Sequence, residues 1–222
     1  MQERDFVISL GGSVIASDKL EVSFLEGFSR IIFSEIRIGK RFVIITGGGK
    51  TARNYQEAAV KASHKEKDWL GIKATELNCL LLRAFFNNSG EAYDKRFKFK
   101  RFEKKSLIIG HGWKPGWSTD FVSIAAAFDF GIKKVMNIGR SPYVYTSDFE
   151  KDPSAKPIKK ISWDEYIKII PREWRPGMNV PIDPVAARFA KKHSIQAIVI
   201  SNDLKNFKKA INGEEFEGTS IS

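Results

Sequence analysis

Short, solidly apolar runs alternate along the chain with longer stretches in which apolar residues recur every three or four positions. The runs are Phe6–Leu10 (FVISL), Phe42–Ile45 (FVII), Leu107–Gly110 (LIIG), Lys134–Ile138 (KVMNI) and Ala197–Ser201 (AIVIS). Between them, Phe24–Ile38 places Phe24, Leu25, Phe28, Ile31, Ile32 and Ile36 on one helical face. Ile72–Phe86 does the same with Leu77, Leu80, Leu81, Leu82, Phe85 and Phe86, and Ala52–Ser63, Phe121–Phe130, Pro184–Lys192 and Asp203–Ile211 also read as helices. Because the strand runs are continuously apolar rather than alternating, both of their faces must be covered. The pattern predicts an α/β fold, a three-layer α/β/α sandwich around a mainly parallel sheet, built as a single domain over 1–222. In such sheets ligands sit beyond the carboxyl ends of the strands.

Those ends carry glycine here. The first three runs lead into Gly11-Gly12-Ser13, Gly47-Gly48-Gly49-Lys50 and Gly110-His111-Gly112. The second ends in Gly-Lys-Thr but is not a Walker A loop, which needs a glycine where Ile44 stands. Glycine after a strand lets backbone N–H groups approach a phosphate, and the following helix offers it a positive end. It also serves a tight turn needing positive φ, and for one loop alone both readings stand. Two such loops on neighbouring strands would hold two phosphates face to face, as phosphoryl transfer requires. A third element, Gly112-Trp-Lys-Pro-Gly-Trp-Ser-Thr-Asp120, sets two tryptophans in a polar loop and hydroxyls at a helix start. Ser118 and Thr119 are candidate N-caps. His111 lies beside a phosphate on one reading of this loop, whereas His64 and His193, among lysines, read as surface residues.

Charge and composition narrow the partners. With 37 Lys and Arg against 26 Asp and Glu the net charge is +11, which calls for a nucleic acid, a phosphorylated small molecule or a membrane surface. At 42% hydrophobic the chain buries a sizeable core. No run approaches the 18 or so apolar residues of a transmembrane helix. The start, MQERDFVISLGGS, shows no secretory signal, and the lone Cys79 closes no internal disulfide; a cytoplasmic location is expected. The few histidines and the cysteine lack ligand spacing, so no protein metal site is expected. Lys95–Lys105 (KRFKFKRFEKK) reads either as a nucleic-acid-binding strand, with Phe97 and Phe99 presenting rings, or as an edge strand whose lysines block pairing. The second reading is preferred, making nucleic acid an unexpected partner. Ser141–Lys160 reads as a surface hairpin or lid.

Taken in order, these loops resemble the amino-acid kinase family, and within it the archaeal-type UMP kinases. The resemblance rests on Leu10-Gly-Gly-Ser-Val14, Thr46-Gly-Gly-Gly-Lys-Thr-Ala-Arg53, Asp68-Trp-Leu-Gly-Ile72, Pro115-Gly116 with Ser118-Thr119-Asp120, and Val144-Tyr145 with Asp148. Lys151–Lys156, Ile182–Ala187 and a closing Gly218-Thr219 strand complete it. It implies a nucleoside monophosphate kinase that takes ATP and Mg2+ and phosphorylates UMP. Gly11, Gly12, Ser13, Gly49, Arg53, Gly139, Tyr145 and Asp148 would bind the donor nucleotide. Gly48, Asp68 and Trp113, Lys114, Pro115, Gly116, Trp117, Ser118, Thr119 and Asp120 would hold the acceptor. Arg53 and Lys50 would neutralise charge at the transferring phosphate. The acceptor-side half would be about 1–130 and the donor-side half about 131–222.

The chain departs from the family pattern in places. The usual Gly-Thr-His-Pro-Gly-His-Thr-Thr-Asp reads Gly112-Trp-Lys-Pro-Gly-Trp-Ser-Thr-Asp120. Thr-Asn-Val-Asp-Gly-Val-Tyr reads Gly139-Arg-Ser-Pro-Tyr-Val-Tyr145, and Leu10 stands where many relatives carry lysine. A sister phosphotransferase with another small acceptor, and a non-catalytic nucleotide-binding protein, remain as alternatives. The helix over Ile72–Phe86 carries more large residues than one buried face accommodates. That predicts packing against a second subunit, a homodimer at least, and the resemblance allows a hexamer.

Overall fold

The computed structural model describes residues 4–87, 91–96, 98, 102, 105–149, 151–173, 178 and 180–222. Its centre is an eight-stranded sheet. In chain order the strands are β1 (Asp5–Leu10), β2 (Arg41–Thr46), β3 (Glu91–Tyr93), β4 (Leu107–His111), β5 (Lys134–Gly139), β6 (Val144–Tyr145), β7 (Pro157–Ile158), β8 (Lys160–Ile161), β9 (Gln196–Ser201) and β10 (Thr219–Ile221). Across the sheet they run β3-β4-β2-β1-β5-β9-β10-β8, while β6 and β7 form a separate hairpin. From β3 to β9 every pair is parallel; β10 turns antiparallel to β9, with β8 parallel to β10.

The helices are α1 (Val22–Arg37), α2 (Gly49–Ala58), α3 (His64–Phe85), α4 (Thr119–Phe130), α5 (Trp163–Ile169), α6 (Pro184–Lys192) and α7 (Leu204–Asn212). Alternate residues of each central strand feed opposite layers. Val7, Val43, Val135 and Val199 pack with α4, α5 and α6 through Ile124, Tyr166 and Ala186. Ile8, Ile44, Met136 and Ile198 pack with α1, α3 and α7 through Phe28, Leu82 and Phe207. This is the expected three-layer α/β/α sandwich. Strand order reverses about β1, which has β2 on one side and β5 on the other. The crevice at such a switch point is where open α/β sheets take ligands.

Several elements differ from the expectation. α3 begins eight residues early, at His64, because Ser63 and Glu66 form a reciprocal capping box. α2 begins at Gly49 rather than Ala52. Ser141–Lys160 does contain a hairpin, β6 and β7. Of the basic stretch, Phe97, Phe99, Lys100, Arg101, Glu103 and Lys104 lie outside the described residues. Within it, Arg96 forms a forked pair with Asp129 and Phe102 is buried under Arg41. His193 is not a plain surface residue: its ring lies 4.4 Å from those of Phe128 and Phe189.

Candidate active site

The two glycine loops interlock. Gly47 donates its N–H to the Leu10 carbonyl at 2.8 Å, and Lys50 donates its own to Ala16 at 3.0 Å. A Cβ on Gly12 would lie 1.9 Å from the Gly49 nitrogen, and one on Gly49 would lie 2.3 Å from the Gly12 oxygen. Gly49 also has φ +62°, so it requires glycine on both counts. Among the described residues, the N–H groups of Gly48 and Gly49 have no acceptor within the chain. Gly11 binds the Ile138 carbonyl at 2.8 Å, which ties the end of β5 to the same loops.

These loops wall a cavity of about 250 Å³. Arg53 and Gln56 of α2 line it, with Asp68, Gly71 and Thr75 of α3, the segment Lys114–Asp120, and Met178, Val180 and Asp183. The N-terminal caps of α2, α4 and α6 are Gly48, Ser118 and Asp183, and all three line the cavity. The positive ends of α2 and α4 therefore meet where an anion would sit, whereas that of α6 is already taken by the Asp183 carboxylate. Arg53 has no carboxylate partner among the described residues.

The floor is acidic and hydrogen-bonded. Asp120 accepts from Ser9 at 3.2 Å and from the Asn137 amide at 2.8 Å. Asp183 accepts from the Val185 and Ala186 N–H groups and from the Ser118 hydroxyl. Burial of the Asp120 carboxyl, reinforced by the charge of Asp183, raises its pKa well above the usual carboxylate range, against the pull of the Ser9, Asp183 backbone and Asn137 hydrogen bonds.

The loop above the floor is braced by aromatic contacts. Trp117 meets Phe121 edge to face at 4.6 Å and Trp113 at 4.8 Å, and the Lys114 ammonium lies 4.7 Å over the Trp117 ring. Gly116, at φ +81°, donates its N–H to Asp68 at 2.8 Å, so α3 and the loop close on one another.

Of the residues expected in the site, Gly11, Gly12, Gly48, Gly49, Arg53, Asp68 and Lys114 through Asp120 line this one cavity. Others lie beside it. Ser13 is in the 3-10 turn behind Gly12. Lys50 points away to an ion pair with Asp18, whose carboxyl it holds below the usual range. Trp113 packs against the core and meets Trp117 edge to face, outside the cavity lining. Gly139 lies beneath Gly11. Tyr145 stacks on Phe149 in the hairpin, and Asp148 pairs with Lys151 at 3.3 Å. Sequence reasoning gave no role to Ser9, Gln56, Thr75 or Asp183. Only Asp183 carried a signal, an acid immediately before a proline at a helix start.

Comparison with known proteins places this geometry. The model of the amino acid kinase family matches residues 5–201. A protein named uridylate kinase from Pyrococcus abyssi is 33% identical, the alignment covering 97% of this chain and 98% of that one. Another uridylate kinase, from Thermoplasma acidophilum, is 30% identical over 97% of this chain and 95% of its own length. The crystal structure of uridylate kinase from Archaeoglobus fulgidus superposes with a TM-score of 0.80 at 30% identity, covering 98% of this chain and 99% of that one.

Proposed function

Because the chain belongs to the amino acid kinase family, we propose that it is a UMP kinase, transferring the terminal phosphoryl group of ATP to UMP to give UDP and ADP. One observation carries the reading: the free N–H groups of the fused glycine loops, the N-termini of α2 and α4, and Arg53 all border a single cavity. Acceptor and donor phosphates meet there in line. The attacking UMP oxygen is already ionised near neutral pH, so catalysis is positioning and charge stabilisation.

Each group has a part. Gly48 and the α4 N-terminus receive the UMP phosphate, Asp68 accepts a ribose hydroxyl, and Trp117 covers the pyrimidine. Gly11, Gly12 and Gly49 receive the donor phosphates, and Arg53 spans both partners. Lys50 joins it on leaving Asp18. The hairpin residues Tyr145 and Asp148 receive the donor's base and ribose. In this reading about 1–130 forms the acceptor side and about 131–222 the donor side.

Magnesium fits the site as a companion of the nucleotide. Among the described residues no group of three or more His, Cys, Asp or Glu converges on a metal-sized space. Asp183 offers a hard oxygen ligand on the floor, Asp120 would offer another once the cation displaced its proton, and nucleotide phosphates and water would supply the rest. The ion supplies neutralisation of the phosphoryl oxygens.

α3 turns Trp69, Leu77 and Leu80 outward at 43%, 59% and 53% exposure. This face takes a second copy of the chain, giving a dimer from which a hexamer can be built.

An ADP-release assay over a panel of nucleoside monophosphates tests the activity. Turnover is expected with UMP above CMP, AMP and GMP. Turnover with a different acceptor would make the chain a sister phosphotransferase. Nucleotide binding without any turnover would make it a non-catalytic binder.

A further inference from the structure

The exposed and buried faces of α3 do different things, and the buried face holds two polar side chains that carry no part in the reading above. Asn78, 2% exposed, donates its side-chain amide to the Gly47 carbonyl at 2.7 Å. One turn earlier Thr75, 7% exposed, accepts the Gly112 N–H at 3.0 Å and donates its hydroxyl back to Ile72. The Thr75 carbonyl in turn accepts from the Thr46 hydroxyl at 3.0 Å, at the end of β2. A single helix thus grips the glycine loop at one point and the tryptophan loop at another.

The Gly47 carbonyl is a consequential atom to hold. In a planar trans peptide the carbonyl and the following N–H point opposite ways. Fixing the Gly47 oxygen on Asn78 therefore fixes the direction of the Gly48 N–H. That N–H has no acceptor among the described residues, and Gly48 lines the cavity. Left alone, a glycine peptide flips readily, because neither neighbour has a Cβ to oppose it. A buried amide with one good acceptor opposes the flip, since losing it leaves a desolvated donor behind.

We propose that Asn78 is a positioning residue for phosphate recognition: by anchoring the Gly47 carbonyl it presents the Gly48 N–H to the phosphate of the acceptor. Thr75 sets the tryptophan loop against it through Gly112. The assignment of that phosphate to UMP rests on the function proposed above; the anchoring of the peptide does not.

The test compares ligands with and without the phosphate. Asn78→Asp keeps the side-chain shape but, when ionised, cannot donate; Asn78→Ala removes both atoms. Binding of UMP and of uridine is followed by competition and by tryptophan emission, with thermal unfolding as the folding control. Both variants are expected to weaken UMP by about tenfold or more while changing uridine by less than about threefold, as loss of one phosphate-directed donor implies. Asn78→Asp should recover UMP affinity as pH is lowered and the carboxyl regains a proton to donate. Thr75→Val, which breaks the other grip, should weaken both ligands together. Equal loss of UMP and uridine in the Asn78 variants, or a fall in melting temperature with both affinities unchanged, would overturn the proposal. If the wild-type chain binds UMP without turning it over, the kinase reading fails and the positioning role is still decided by the binding ratios. If UMP does not bind, protection of the chain by tripolyphosphate replaces it. Protection lost in both Asn78 variants supports the role; protection retained in them, or absent from the wild type, overturns it.

Discussion

Ser118 donates its hydroxyl to the carboxylate of Asp183, and each of these residues is the N-cap of a helix. The starts of α4 and α6 are therefore locked together by their own capping groups. The N–H groups of α6 are taken up by Asp183, while the positive end of α4 borders the cavity, where it favours negative charge by about 0.3–1 kcal/mol.

Arg53 lines the same cavity from α2 and has no carboxylate partner among the described residues. Arg53→Ala should lower turnover by about 100-fold or more, the usual scale for removing one charge-stabilising donor. Its melting temperature should stay close to wild type, because an exposed side chain away from the core contributes little. Wild-type rates in a folded variant would remove Arg53 from the mechanism.

Trp117 and Trp113 should separate cleanly. Trp117 lines the cavity, whereas Trp113, which it meets edge to face, does not. UMP should therefore quench or shift emission in the wild type and in Trp113→Phe. In Trp117→Ala the change should vanish and UMP should bind about tenfold more weakly, as loss of a stacking partner worth roughly 1–3 kcal/mol requires. ATP binding should be nearly unaffected. Equal weakening of both nucleotides would make the loop scaffold only.

Asp120 gives the protein an unusual pH dependence. Its folded pKa is raised from 3.8 to about 8, so between those values the folded chain holds a proton the unfolded chain has lost. Its contribution is full below pH 3.8 and is lost progressively as pH rises through about 8. The paired carboxylates Asp18, Glu66 and Asp152 are shifted downward and act in the opposite sense, only at acid pH. Melting temperature measured from pH 5 to 9 should fall with rising pH, and Asp120→Asn should flatten that part of the slope. For a domain of this size each kcal/mol moves the midpoint by about 2–4 °C. Parallel curves for the two proteins would refute the shift.

The outward face of α3 predicts assembly. Leu77→Glu with Leu80→Lys should convert the protein to a monomer by light scattering, without unfolding it, since both side chains are exposed in the single chain. A wild-type monomer at micromolar concentration would contradict the interface.

What was legible in the sequence followed from burial. β1, β2, β4, β5 and β9 are covered on both faces, so each had to be a solid apolar run. β3, β6, β7 and β8 are two or three residues long and carry no pattern of their own. α5 is marked in the sequence only by the Ser162–Glu165 capping box, a short signal without an apolar run to accompany it. In the site, the glycine loops were visible because close backbone approach demands that residue type. Asn78 and Thr75 were not, because a lone polar residue on a helix says nothing about the carbonyl or amide it will meet. The Asp18 partnership of Lys50 was hidden for a related reason: the pair is 32 positions apart and arises only when the two loops fuse.

That fusion divides the molecule into a part that cannot drift and a part that can. With less than 2 Å between a Gly12 methyl and the Gly49 backbone, neither loop has room to accept a side chain unless the other retreats. A side chain at either position is blocked from both directions, so the cradle changes only if both loops move at once. The bend at Gly116 has open space around it, with no atom of the described residues within 4 Å of an added Cβ. Substitutions that reshape the cavity should therefore be accepted first at the residues flanking that bend, Lys114 and Trp117, while the interlocked glycines beneath keep their positions.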